Sequence, residues 1–232
     1  MDLAQPHMTR QTCIMTPPED IIAPAASMIV LQGWGSGAKV LMGQRAAGAA
    51  FMPSKFVFPG GRVDESDHTA DLPDLLSPAC QTALHLHPAA GGPISPRALV
   101  AAGLRELTEE TGLELSQPRA RALRFVFRAI TPPGRSRRFD ARFFLARAQD
   151  FGGDHAGFSA ASGELSHLQW LPLIDARALD LPFITRVILA ELEANLTAED
   201  RAGEDWAGED WAGTGGVPFF DNSGPHPAFL RL

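Results

Sequence analysis

Apolar and polar positions alternate in short runs through the first part of the chain and change to a helical period near its middle. Ala26 to Leu31 and Lys39 to Met42 are short apolar or alternating runs separated by Gly33-Trp34-Gly35-Ser36-Gly37, the pattern of a hairpin with a glycine-rich turn. Phe51-Met52-Pro53 reads as a loop entering a strand at Phe56-Val57-Phe58, which breaks into a Pro59-Gly60-Gly61 turn. Ser95-Pro96 has the form of an N-cap followed by a first-turn proline, and it opens a long helix that runs to Gly112. Ala101, Leu104 and Leu107 share one side of that helix and anchor it to a core. Arg121 to Ile130 predicts a strand, Thr131-Pro132-Pro133-Gly134 a turn, and Arg138 to Ala146 a second strand. In the latter, Phe139, Ala141, Phe143 and Leu145 form one face, and Arg138, Asp140, Arg142 and Phe144 the other. Pro182 to Leu196 repeats Phe183, Val187, Leu189, Leu192 and Leu196 at helical spacing and predicts a closing helix on the sheet.

Chemistry concentrates at the end of the long helix, in Arg105 to Leu113, RELTEETGL. Glu106, Glu109 and Glu110 stand at i, i+3 and i+4, which gathers three carboxylates on one face of a turn. Like charges at that spacing repel, and a hard divalent cation reverses the sign of that cost because it takes oxygen ligands. Gly112 supplies the left-handed residue that commonly ends a helix. By charge pattern alone, a solvated acidic helix end with a glycine stop is an equal reading.

The neighbouring residues decide between the two. A strand, a Pro-Gly-Gly loop at Phe58-Pro59-Gly60-Gly61 and the helix RELTEETGL, in that order, resemble the Nudix hydrolase family. Its signature is a glycine, five residues, a glutamate, seven residues and then R-E-U-x-E-E-x-G-U, with U a bulky aliphatic; Arg105 to Leu113 match the second half without a gap. The first half departs. Counting forward from Gly61 puts Asp67 at the first glutamate position, whereas counting back from Arg105 puts Arg97 there. The box is therefore split by an insertion at about residues 66–96, as in the branch that resembles the peroxisomal coenzyme A diphosphatase of animals. Asp64 or Asp67 stands as a substitute for the missing glutamate. Within the insertion the sequence predicts an acidic loop, a short helix around Pro78 to Leu86 and a break at Gly91-Gly92-Pro93; its length suits a lid or specificity element.

The resemblance implies an α/β fold, the Nudix α/β/α sandwich with a mixed sheet, and hydrolysis of a nucleoside diphosphate linked to a further group X. It implies Glu106, Glu109 and Glu110 as ligands of Mg²⁺ or Mn²⁺, and Gly60 and Gly61 as a backbone that passes close to the diphosphate. Arg105, four residues before Glu109, is expected to hold that carboxylate as an ion pair. Arg45 is either a substrate contact or a surface arginine. Arg135, Arg137 or Arg138 is either a phosphate contact or part of a solvated cluster. Glu164, in the segment before Trp170, is either a further ligand or general base, or a loop carboxylate.

Composition narrows this only at the edges. The chain has 232 residues and a net charge of −7, which suits one enlarged domain and argues against a nucleic-acid coat while leaving a small nucleotide ligand open. The expected division is an extension over residues 1–25, a Nudix domain over 26–200 and a tail over 201–232, the tail carrying two Ala-Gly-Glu-Asp-Trp copies and an anchor at Val217 to Phe220. Cys13 and Cys80 read as free thiols; no signal peptide or membrane span is evident, so a cytoplasmic protein is expected. A homodimer is the family expectation. Two other functions stay in view on the same fold: a non-catalytic nucleotide sensor, disfavoured by the complete RELTEETGL, and a prenyl diphosphate isomerase, which needs a cysteine better placed than Cys13 or Cys80.

Overall fold

The computed structural model describes residues 21–88, 92–202, 215–224 and 226–232. In chain order the strands and helices are β1 (Ile22–Gln32), β2 (Lys39–Arg45), β3 (Phe56–Val57), β4 (Gly60–Arg62), α1 (Pro78–His85), α2 (Pro96–Thr111), β5 (Glu114–Leu115), β6 (Arg124–Ile130), β7 (Arg138–Arg147), β8 (Phe151–Gly152), β9 (Leu165–Pro172), α3 (Leu173–Ala176), α4 (Phe183–Ala202), β10 (Pro218–Asp221) and β11 (Ala228–Arg231). The main sheet is ordered β11-β10-β6-β7-β1-β2-β3, with β4 also on β1 and β9 also on β2. It is mixed: β1 runs parallel to β7 and β10 parallel to β6, and the other pairs are antiparallel.

Alternation along β1 sends Ala26, Met28 and Val30 to one core layer and Ile29 and Leu31 to the other, so this strand is apolar on both faces and sits inside the sheet. The first layer is covered by α1 and α2 and the second by α3 and α4, which gives the expected α/β/α sandwich. Buried side chains of Val, Leu, Ile and Phe size each contribute roughly 1.5–3 kcal/mol, so both layers are needed to hold the sheet. The alternation read in β7 also holds: Phe143 and Leu145 enter one layer, Phe144 and Ala146 the other. Among the described residues no helix is long and apolar enough to cross a membrane.

Several expectations need correction. Gly60 and Gly61 do not form an open turn; they are part of β4, with Gly61 opposite Ala26 on β1. Ser95 caps α2 through its backbone only, its side chain making no capping bond. The insertion is not a loose lid. Its Leu75, Leu76, Cys80 and Leu84 lie in the same core layer as α2, and Arg128 donates to the carbonyls of Leu86 and His87 at 3.1 and 2.7 Å. Residues 218–231 are no tail, because β10 and β11 extend the sheet beyond β6. Phe183, placed on the buried face of the closing helix, is 67% exposed. Cys13 and most of the Ala-Gly-Glu-Asp-Trp repeat lie outside the described residues; Cys80 is a buried free thiol.

Candidate active site

The first half of α2 is buried, Ala98 through Leu104, and this fixes the angle at which its last turns emerge beside β4. Gly112 ends the helix at φ 74°, its N–H bonded to Thr108 O at 2.8 Å. The glycines of β4 then meet the carboxylates at short range. Gly60 N–H donates to Glu110 Oε2 at 2.9 Å, and a carbon added to Gly61 would lie 2.7 Å from Glu106 Oε2 with the other Oε and the Cδ still closer. No other residue type fits at Gly61 while Glu106 stays in place.

Arg105 ties the pieces together. Its Nε and Nη2 reach the two oxygens of Asp67 at 3.1 Å each, its Nη2 also donates to Arg62 O at 3.0 Å, and its Nη1 reaches Glu106 at 2.9 Å and Glu109 at 3.4 Å. The expected Arg105–Glu109 pair is present, and the contacts to Asp67 and Glu106 are shorter. Asp67 also accepts from Asp64 N–H at 2.8 Å and is buried. Of the two aspartates, Asp67 is the one that closes on Arg105 with both oxygens. Asp64 stands at the margin, 3.7 Å from Arg105 and 3.1 Å from Arg62.

Electrostatics separate the three box glutamates. Burial pushes Glu110 up to about 8; the Gly60 N–H and Arg45 oppose that rise, while Glu106 and Glu164 add to it. Burial also raises Glu106, with Arg105 pulling the other way and Glu109 and Glu164 adding to the rise. Glu109 lies outward, its side chain 54% exposed. Glu164 comes from the loop before β9. Arg45 of β2 holds it at 3.3 Å, and Ser162 N–H pins the same loop to Glu109 O at 2.9 Å. Glu106, Glu110, Arg105, Gly60, Gly61, Arg45 and Glu164 are therefore brought together. Arg138 is not: it is buried and donates to Thr131 O at 2.8 Å and Asn222 O at 2.6 Å.

Among the described residues, no three His, Cys, Asp or Glu side chains converge closely enough to enclose an ion. The donor set nonetheless suits a hard divalent cation. Its groups are all carboxylates, Glu110 buried and Glu106 half-buried with both pKa values raised, and Asp64, Asp67, Glu106, Glu109, Glu110 and Glu164 outnumber Arg45, Arg62 and Arg105. An excess of partly buried negative charge of this kind is costly without a cation. The Ser162 contact leaves no mark in the sequence of either segment, since it joins a loop N–H to a helix carbonyl.

No family model matches the chain. Solved structures do. The chain is similar to a Nudix hydrolase from Alicyclobacillus acidocaldarius, at 25% identity and a TM-score of 0.57 over 80% of this chain and 97% of that one. It also resembles a C. elegans Ap4A hydrolase, at 16% identity and a TM-score of 0.47 over 76% and 99%. The Nudix domain of Shewanella oneidensis NrtR, solved with ADP ribose, is similar at 17% identity and a TM-score of 0.43 over 81% and 94%. The first likeness, with the mixed sheet between two helical layers, shows the Nudix fold.

Proposed function

We propose that this Nudix-fold chain is a metal-dependent hydrolase that cleaves the diphosphate linkage of a nucleoside diphosphate joined to a further group X. The observation that carries the reading is the pairing of half-buried Glu106 and buried Glu110 with the β4 glycines, Gly60 N–H on Glu110 and no room for a side chain at Gly61. Glu106, Glu110 and Glu109, whose contact to Arg105 is long at 3.4 Å, are the residues that would hold Mg²⁺ or Mn²⁺. When bound, such an ion supplies positive charge to the diphosphate oxygens and Lewis acidity toward water. Arg105 orients Glu106 and is itself fixed by Asp67. Glu164, half out in solvent yet within the field of Glu106 and Glu110, accepts the proton of the attacking water, and Arg45 steadies it and faces the substrate. Coenzyme A or a derivative is the finer reading for X, and it rests on the split box alone.

The test is incubation with Mg²⁺ or Mn²⁺ and a panel of coenzyme A, ADP-ribose, NADH, dinucleoside polyphosphates and nucleoside triphosphates, with products identified by mass. Cleavage at a diphosphate bridge supports the reading, and the productive substrate names X. Glu109→Gln and Glu110→Gln are expected to lower turnover by at least ~100-fold, on the order of 3 kcal/mol of barrier. Near-normal rates in both at saturating Mg²⁺ would remove the metal assignment.

A further inference from the structure

Where β1 passes into its hairpin turn, away from the carboxylates, lies a cavity of about 460 Å³. Gly61 sits opposite Ala26 on β1, and Leu31 of the same strand lines the cavity, so at about 3.3 Å per residue the two places are about 17 Å apart. The residues that give the cavity its chemistry are Trp34, Phe151 and His155, the amides Gln32 and Gln149, and Arg147. Its volume is within the range of small-molecule sites.

The aromatic walls are already fixed. Arg124 lies over the Trp34 ring at 5.7 Å, and His155 stacks on Trp170 with ring centroids 6.0 Å apart and planes 14° off parallel. Trp170 Nε1 donates to His155 O at 2.7 Å, and His155 Nε2 lies 3.0 Å from Phe151 O. Little ordering is left for a ligand to impose. Among the described residues that line it, Arg147 carries the permanent charge, and it shares buried Asp150 with Arg119, its own Nε standing 3.3 Å from the carboxylate. The cavity offers aromatic side chains together with amide donors and acceptors from Gln32 and Gln149, both exposed at the rim.

We propose that this cavity is a second binding site, separate from the carboxylate site, for a planar nitrogen heterocycle of nucleobase or nucleoside size. Stacking on the aromatic walls supplies the attraction, and the amides read the heterocycle's edge.

The experiment is isothermal titration of the full chain with adenosine, guanosine and uridine in EDTA, where neither metal nor a diphosphate takes part. At least one nucleoside is expected to bind at a single site with Kd of about 1 mM or tighter. Gln149→Trp, a change at an exposed position that fills the cavity, is expected to weaken binding by at least about tenfold, and Trp34→Ala to do the same. Arg45→Ala, at the carboxylate site, is expected to leave it unchanged. Thermal melting by circular dichroism verifies the fold of each variant. No saturable binding by any of the three nucleosides overturns the proposal. So does binding that survives Gln149→Trp, or binding that Arg45→Ala removes, because the nucleoside then sits at the carboxylates.

Discussion

Gly61→Ala separates the role of the glycine strand in chemistry from its role in folding. The added methyl would sit 2.7 Å from Glu106 Oε2 and nearer still to the rest of the carboxylate, well inside contact distance. Glu106 is a flexible side chain, so it can swing aside. Doing so breaks its 2.9 Å bond to Arg105, a charge-assisted interaction of about 1–2 kcal/mol. Stability in urea should therefore fall by no more than about that amount, partly offset because a carboxylate strained by burial reaches solvent. Turnover should fall by at least ~100-fold, since a donor of the proposed ion leaves its place. Gly60→Ala is the matching control. There the added carbon meets backbone, 2.5 Å from Ala26 O and 2.6 Å from Ser27 Cα of a central strand, and neither can rotate away. That variant should lose about 3 kcal/mol of stability or fail to fold. The assay is kcat on a cleaved diphosphate at saturating Mg²⁺, paired with urea unfolding of each protein. A folded Gly61→Ala enzyme within about threefold of the wild-type rate would refute the reasoning, because Glu106 would then be dispensable where it stands.

Three further outcomes follow from the same geometry. Glu110 is raised from 4.5 to about 8, so its stabilising contribution is fully present below about 4.5 and is lost as pH rises through about 8. Urea titrations of metal-free protein should show stability falling across that window by up to about 5 kcal/mol from this group, with Glu110→Gln flattening the fall; a rise would contradict the burial argument. Asp67→Ala should cost about 2–3 kcal/mol, and a double-mutant cycle with Arg105→Ala should return a coupling well above the ~0.5 kcal/mol of an exposed pair. Asp140 is fully buried between Arg128 at 2.8 Å and Arg142 at 3.0 Å, so Asp140→Ala should cost about 3–5 kcal/mol in urea unfolding by leaving two buried guanidiniums uncompensated.

What the sequence disclosed, and what it hid, depended on range. RELTEETGL was readable because its logic is local: the i, i+3, i+4 spacing and the Gly112 stop are set within one helix. The hairpin, the insertion helix and the two faces of β7 were legible for the same reason. The meaning of the β7 polar face was not. Arg138 reads as a phosphate contact or part of a solvated cluster, and Asp140 and Arg142 share its face, yet all three are buried, and the neighbouring Arg128 is bound to backbone carbonyls at the end of the insertion helix. Alternation reports which residues share a face, and only the tertiary structure reports what covers that face. Asp67 hid behind a similar difficulty. Counting singled it out as one of two candidates, but its pairing with Arg105 closes a span of 38 residues across the insertion. The final strands were hidden because β10 and β11 are short and take their register from β6 and each other.

The proposed chemistry requires that the acidic end of α2 hold a divalent cation. Electron paramagnetic resonance of Mn²⁺ titrated into the purified chain measures this without any substrate. Saturable binding that Mg²⁺ displaces is predicted for the wild type, weakened by at least about tenfold in Glu106→Gln and in Glu110→Gln. Mn²⁺ binding that is absent from the wild type, or equal in the wild type and both variants, would contradict it.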